Sequence, residues 1–216
     1  MPIDALAYAG AIVRDVKSVE RDGKPAKAVV ATATYATSID DLWDAVTTAA
    51  RIRRWFLPVS GELKLGGRYQ LEGNAGGTIT ACDTQRHHFA STWEFGGQTS
   101  WIEVQLTASK PGEATLELTH IAIIDDAFWP TYGPGAVGVG WDLGLLGLLR
   151  HIESPGVDKP PEQVAAWATS PEALEFYRIA STAWGRAAEV DGMDNAMEAA
   201  ENTRKFYSGE APPQAM

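Results

Sequence analysis

The stretch VGVGWDLGLLGLLRHIE at residues 137–153 decides the fold of this chain. The spacing of its large apolar residues is that of one face of an α-helix, and the spacing predicts one long helix. Its apolar residues are Trp141, Leu143, Leu145, Leu146, Leu148, Leu149 and Ile152. Gly140, Gly144 and Gly147 leave one flank of this helix nearly bare. Because each interior glycine costs about 1 kcal/mol relative to alanine, three of them indicate either close packing or reserved space.

Ahead of that helix, the pattern changes to period two. From Val59 to Ile124, short runs of alternating apolar and polar residues are separated by glycine-rich turns. This pattern predicts about six antiparallel strands in a meander. Residues 10–20 and 26–35 flank an Asp22-Gly23 turn, which predicts a β-hairpin.

Helical segments lie on both sides of the meander. Ser38 is an N-cap candidate for a helix that carries Leu42 and Trp43, and a second short helix ends before Pro58. Beyond a Pro-rich linker at 154–162, Ser170-Pro171-Glu172 predicts the start of a helical hairpin at 170–207.

Composition excludes several classes of function. The chain has 216 residues, a formal net charge of −10 and no cluster of Lys or Arg, so nucleic acid and membrane are not expected partners. Its single cysteine, Cys82, favours a reducing compartment, and no signal peptide or membrane span is expected, so a cytoplasmic location is predicted.

The order of these motifs resembles a known family. The quoted segments are IDDLWDAVTTAARIRRWFLP, GGRYQLEGNAGGTIT, TWEF, EATLELTH and the GW opening of the long helix. Together they resemble the Hsp90-ATPase-activator-like (AHSA1-type) branch of the START-like (SRPBCC) superfamily over residues 27–153. The resemblance implies an α+β helix-grip fold, with a sheet of about six or seven strands wrapped around the long C-terminal helix. The helical hairpin at 170–207 lies outside the family pattern and is expected to be an appendage that packs on this domain. The expected domains are 1–153, with its core at 27–153, and a C-terminal extension at 154–216.

The resemblance also implies a hydrophobic cavity between sheet and helix. We therefore expect a protein that binds a lipid, polyketide or aromatic ligand, without cofactor or metal. The expected ligand-binding residues are Tyr69, Trp93, Phe95, His120, Trp129, Tyr132, Trp141 and Leu145. Plain core packing is the alternative for these aromatics.

His120 is the best candidate for chemistry, because alternation places it on the same face as Leu116 and Leu118. A histidine there can orient a ligand or act as a general base, or it can be an ordinary core residue. A polyketide cyclase or aromatase is therefore one alternative function, with no catalytic residue assigned and an enzyme not favoured. A chaperone cofactor or homodimer subunit is another, motivated by the acidic C-terminal hairpin and its Trp184.

Three further pairs of residues have narrower predictions. Trp55 and Phe56 are expected where the second short helix meets the sheet, as a hinge or as part of the cavity mouth. Glu94 and Glu103 are expected to point away from the helix. Adjacent strand residues His87 and His88 point to opposite faces, which argues against a metal site.

Overall fold

The structure is a computed structural model that describes residues 4–125, 128–154, 156 and 161–210. The strands are β1 Val13–Arg21, β2 Lys24–Tyr35, β3 Val59–Gly61, β4 Arg68–Leu71, β5 Gly76–Asp83, β6 His88–Phe95, β7 Gln98–Lys110 and β8 Glu113–Ile123. The helices are α1 Ala5–Ala11, α2 Ile39–Thr47, α3 Ala49–Trp55, α4 Phe128–Tyr132, α5 Gly135–Glu153, α6 Pro161–Ala168, α7 Pro171–Val190 and α8 Ala196–Ser208.

The eight strands form one sheet in the order β1-β2-β8-β7-β6-β5-β4-β3. The six strands from β3 to β8 pair antiparallel with their neighbours in sequence, as expected for a meander. The α+β helix-grip class is confirmed, but the strand count of six or seven is wrong. Both strands of the N-terminal hairpin join the sheet, and this brings the total to eight.

Local signals in the sequence account for several element ends. Asp22 and Gly23 both have positive φ, which matches the twist of a tight hairpin. The Ser38 side chain accepts a hydrogen bond from the backbone N–H of Asp41, and Ser170 caps α7 through Ala173 in the same way. The long helix begins two residues before the predicted Val137 and ends at the predicted Glu153.

Three short helices were not predicted: α1, α4 and α6. Part of the predicted linker at 154–162 lies outside the described residues, and α6 begins within its last two positions. Within the described part of the chain, none of the helices is long and apolar enough to cross a membrane.

The chain forms two compact units. Unit 1 takes the described residues of Met1–Ala31, Ile123–Leu146 and Lys159–Met216, and unit 2 takes those of Thr32–Ala122 and Gly147–Asp158. Both β2 and α5 contribute residues to each unit. The expected division at residue 153 stays a prediction.

Candidate functional site

A group of polar and aromatic side chains lies on the buried face of the sheet in unit 2. We call it the inner-face cluster, and its members are Tyr69, Ser91, Trp93, Ser100 and His120. Register explains the grouping. Ser91 pairs with Ile102, Ile102 pairs with His120, and Trp93 pairs with Ser100, so these side chains share one face of β6, β7 and β8.

His120 is the central polar group of this cluster. Its Nε2 lies 2.8 Å from the Ser100 hydroxyl, which in turn donates to the backbone carbonyl of Trp93 at 3.1 Å. A hydroxyl has one proton, so the chain of bonds is satisfied when Nε2 of His120 carries its own proton and donates to Ser100. The Trp93 ring lies edge-on to the imidazole, with centroids 6.1 Å apart.

The environment of His120 keeps it neutral. Its side chain is only 6% exposed, and burial lowers its pKa from 6.5 to about 4, because burial disfavours the charged form. A base of that pKa accepts a proton poorly at neutral pH. His120 is therefore a neutral hydrogen-bonding group in this fold.

Tyr69 extends the cluster from β4. Its hydroxyl donates to the carbonyl oxygen of Thr92 at 2.7 Å and lies 3.4 Å from the hydroxyl of the buried Ser91. Burial raises the pKa of Tyr69. The cluster thus holds three hydroxyls and one imidazole, none of them charged at pH 7.

Apolar side chains border these groups. Tyr69, Leu71 and Ile79 form a buried cluster. The residues packed against it are only partly buried, namely Phe56, Leu57, Val59, Leu63 and Trp93. Partly buried apolar groups beside buried polar groups are typical of small-molecule sites.

The two aromatic residues at the end of α3 lie in unit 2, where the sequence places them beside the sheet. Trp55 donates its indole N–H to the carbonyl of Ala45 at 2.9 Å, and the Phe56 ring is 5.5 Å from its own. Trp55 is thus tied to α2, while Phe56 borders the inner-face cluster.

The other expected ligand-binding residues lie elsewhere. Phe95 ends β6 with 45% of its side chain exposed and forms no part of the cluster. Trp129, Tyr132, Trp141 and Leu145 belong to unit 1. There Tyr132 packs against Phe206, and Lys27 lies 5.6 Å from the centre of the Trp129 ring.

Close approach of neighbouring atoms explains three of the glycines of α5. A Cβ on Gly147 would lie 2.3 Å from the carbonyl oxygen of Trp55, in unit 2. In unit 1, a Cβ on Gly138 would lie 2.2 Å from the indole of Trp184, and one on Gly140 would lie 3.1 Å from the Tyr207 hydroxyl. Of the two meanings that the sequence leaves open at Gly140 and Gly147, the contacts favour close packing.

Glu94 and His87 each lie against a side chain of opposite charge type elsewhere in the chain. Glu94 pairs with Arg68 at 2.8 Å, and this contact lowers the pKa of the Glu94 carboxyl. His87 lies 3.2 Å from Asp40. In the part of the chain that the structure describes, no three potential ligands come together around a metal position.

Sequence reasoning missed a buried ion pair in unit 1. Asp142 of α5 has no exposed surface and accepts hydrogen bonds from Arg14 of β1 at 3.1 Å and from the Trp184 indole of α7 at 2.9 Å. Burial raises the pKa of Asp142 to about 6 against the lowering effects of Arg14 and Trp184. The available signal was a lone acid on an apolar helix, which requires a buried partner.

A second network in unit 2 was also missed. Arg51 of α3 donates to Nε2 of the buried His151 at 3.1 Å, to the Asp41 carboxylate at 2.6 Å and to Asp44 at 3.0 Å. The hydrogen bond from Arg51 lowers the pKa of Asp41. This network ties α2 and α3 to the C-terminal turns of α5.

Similarity to known proteins places the chain in a family. Residues 36–145 match the model of the family described as Activator of Hsp90 ATPase homolog 1-like protein. The chain belongs to that family. This confirms the AHSA1-type branch of the START-like superfamily that the motifs indicate.

Solved structures agree with the assignment. The crystal structure of CalU16 from Micromonospora echinospora is 26% identical, with a TM-score of 0.63 over 83% of this chain and 99% of that one. Its solution structure gives 26% identity and a TM-score of 0.68 over 84% and 97% of the two chains. EF2215 from Enterococcus faecalis, a conserved protein of unknown function, shares the fold at 16% identity, with a TM-score of 0.59 over 88% and 96%. No curated protein matches the chain.

The Activator of Hsp90 ATPase homolog 1-like match contains the whole inner-face cluster, from Tyr69 to His120. It contains Asp142 but neither Arg14 nor Trp184. The partners of the buried acid thus come from segments outside the family match, whereas the inner-face cluster lies wholly within it.

Proposed function

We propose that the protein binds a small, neutral, mainly apolar molecule at the inner-face cluster of unit 2. The observation that carries this proposal is the neutral Ser100–His120 pair beside the partly buried ring of Trp93. A ligand that covers Trp93 and Phe56 gains from removing their apolar surface from water. A polar atom of that ligand then has hydroxyl and imidazole partners at the same face.

The electrostatics of the cluster support a neutral ligand. A charged ligand would lose its hydration without gaining an opposite charge, because the cluster carries none at pH 7. An aromatic or polyketide-like molecule with one hydroxyl or carbonyl group fits this chemistry. Of the eight residues expected from sequence, Tyr69, Trp93 and His120 are the ones that we propose to contact it.

The test is a titration of the full chain with 2-naphthol, followed by the backbone amide signals of β6, β7 and β8. We expect saturable shifts at Ser91, Trp93 and Ser100. Replacing Trp93 with Leu should weaken binding about tenfold, as is common for a central aromatic contact. The matched control is Trp167→Leu, which removes a partly buried tryptophan of unit 1.

Either of two results would reject the proposal: shifts that spread over the chain without saturation, or equal weakening by the two substitutions. Native mass spectrometry of freshly purified protein adds an independent arm. A co-purified neutral molecule that Trp93→Leu releases would identify the ligand.

A cyclase-type enzyme is the second candidate, favoured by the Ser–His contact of 2.8 Å. Two features argue against it. The proton of Ser100 goes to the Trp93 carbonyl, so the hydroxyl is not activated by His120, and the pKa of about 4 makes His120 a weak base. If turnover of an aromatic polyketide is found, loss of rate in His120→Gln at unchanged binding would favour the enzyme.

Trp184 gives no support to a role as an interaction protein. Trp184, which the sequence suggests as a contact residue, has no exposed surface and bonds Asp142. A homodimer stays a prediction, and a measured mass in solution would test it.

A further inference from the structure

Unit 1 carries an open cleft of about 300 Å³ between α1, the start of β1 and α7. Three arginines line it, namely Arg14, Arg178 and Arg186, together with Thr182. The chain as a whole has a net charge of −10, so a cleft with three arginines and no acid in its lining is set apart from the average surface. Arginine forks suit carboxylate and phosphate groups.

Spacing on α7 brings the donors to one side of the helix. Arg178, Thr182 and Arg186 are four residues apart, so they follow one face at steps of about 6 Å. Arg178 and Arg186 are exposed and Thr182 is half-buried. The long arginine side chains can therefore approach an anion near the Thr182 hydroxyl from both sides.

The three arginines differ in how far their guanidinium groups are already bonded within the protein. The side chain of Arg14 is 4% exposed, and its guanidinium donates hydrogen bonds to Asp142 and to the carbonyls of Ala9 and Ile12. Arg178 bonds Glu175 through Nε and Nη2, which leaves Nη1 outside that pair. Arg186 forms no ion pair with any residue that the structure describes. Arg186 therefore contributes a full positive charge to the cleft. The charge of Arg178 is partly neutralised by Glu175, and Arg14 is a fixed part of the lining.

The remaining lining is apolar. Ile179 and Ala183 come from α7, and Ala9 and Gly10 from α1. A space of this size holds a ring or a short chain as well as a head group.

We propose that this cleft binds a small organic anion, with its oxyanion head at Arg186, Arg178 and Thr182 and its apolar body against Ile179 and Ala183. The head group is a carboxylate or a phosphate ester, which present the same chemistry to an arginine. The proposal is independent of the neutral ligand proposed for unit 2.

The experiment titrates the full chain with phenyl phosphate, benzoate and benzyl alcohol, and follows backbone amides and arginine Nε–H signals by NMR. We expect saturable shifts at Gly10, Thr182, Ala183 and Arg186 with one or both anions. Benzyl alcohol carries the same ring without a charge and should cause no shifts at these four residues. The tighter anion identifies the head group.

Arg186→Gln should weaken the anion about tenfold, because a charge-assisted contact of this kind is worth about that factor. Arg186→Lys should retain part of the affinity, since the charge stays and the fork is lost. Arg53→Gln removes an exposed arginine of α3 in unit 2 and is the matched control, which should bind as the unaltered chain does.

Three outcomes would overturn the proposal: no saturable shifts at the cleft residues at millimolar anion, equal shifts of those residues with benzyl alcohol, or equal weakening by Arg53→Gln and Arg186→Gln. Shifts with benzyl alcohol that are confined to unit 2 would belong to the neutral site proposed there. The amide spectrum of each variant reports whether it is folded. Because Arg186 is exposed, its replacement leaves the core of unit 1 unchanged.

Discussion

The two units bury polar groups in opposite ways. In unit 1, Asp142 keeps a cation beside it, with Arg14 and Trp184 as donors. In unit 2, His120 has a hydroxyl partner and is neutral. The first arrangement pairs opposite charges inside the protein through Oδ2 of Asp142, while Oδ1 has no hydrogen-bond partner among the described residues. The second lies beside the partly buried ring of Trp93. We therefore expect the Asp142 pair to matter mainly for the stability of unit 1, and the His120 pair to matter mainly for the ligand binding proposed for unit 2.

Removing Arg14 is the strongest test of that difference. Arg14→Ala leaves the Asp142 charge buried without its partner, and we expect the free energy of unfolding to fall by about 3–5 kcal/mol. Urea unfolding measures it. The double variant Arg14→Met/Asp142→Leu removes both charges and should recover most of the loss. A small effect of Arg14→Ala, similar to that of the exposed Arg178→Ala, would break the comparison.

The pH dependence of stability should have opposite signs in the two units. Burial gives Asp142 a pKa of about 6 in the folded state, against the ordinary value of 3.8 in the unfolded chain. Its contribution to the free energy of unfolding is therefore fully present below pH 3.8 and is lost as pH rises through 6. The folded-state pKa of His120 is about 4 against 6.5, so its contribution is present above pH 6.5 and is lost as pH falls through 4. Each change corresponds to about 3 kcal/mol.

Two variants separate these contributions. Relative to the unaltered chain, Asp142→Asn should gain stability as pH rises from 4 to 6, and His120→Gln should lose it. Unfolding free energies from urea titrations at several pH values provide the measurement. If both differences had the same sign, one of the two burial arguments would be wrong.

The tightness of packing around glycine can also be compared between the two units, because helix α5 contributes glycines to both. Gly138→Ala and Gly147→Ala each place a Cβ against fixed atoms, and we expect each to lower the free energy of unfolding by about 2 kcal/mol. Gly10→Ala is the control, since its Cβ meets nothing within 4 Å. It should be neutral or gain up to about 1 kcal/mol from helix propensity. A stabilised Gly147→Ala would show that α5 has spare room in unit 2.

The smallest effect comes from a matched pair of tyrosines. Tyr69 donates to the Thr92 carbonyl at 2.7 Å in unit 2, and Tyr207 donates to the Ala136 carbonyl at 2.8 Å in unit 1. Tyr69→Phe and Tyr207→Phe should each cost about 1 kcal/mol in stability. Only Tyr69→Phe should alter 2-naphthol binding. Equal effects on binding would remove Tyr69 from the proposed site.

Period-two alternation was sufficient to place most of the sheet. It put Leu116, Leu118 and His120 on one face, and all three are buried. It could not find Ser91 and Ser100, because a small hydroxyl has no preference for either face until its partner is known. Register across three strands, which depends on distant pairing, brings both serines to the imidazole side.

The short helices and the ion pair escaped prediction for a related reason. The segment Ala5–Ala11 is rich in alanine and shows no amphipathic period, so the Asp4 cap is the clearest local sign of a helix. Asp142 looks like an interruption of an apolar helix, because its partners Arg14 and Trp184 are more than 40 residues away on either side. Contacts of that range are invisible to local patterns.

The composition of the units constrains how the chain acquires its structure during synthesis. Unit 1 takes segments from the beginning, the middle and the end of the sequence, as the Arg14–Asp142–Trp184 contacts illustrate. On the ribosome, residues 4–31 therefore emerge long before α7, against which α1 and β1 pack. Residues 32–122, which emerge as one block, need only the last turns of α5. Because domains form as their segments become available, unit 2 should appear earlier in translation.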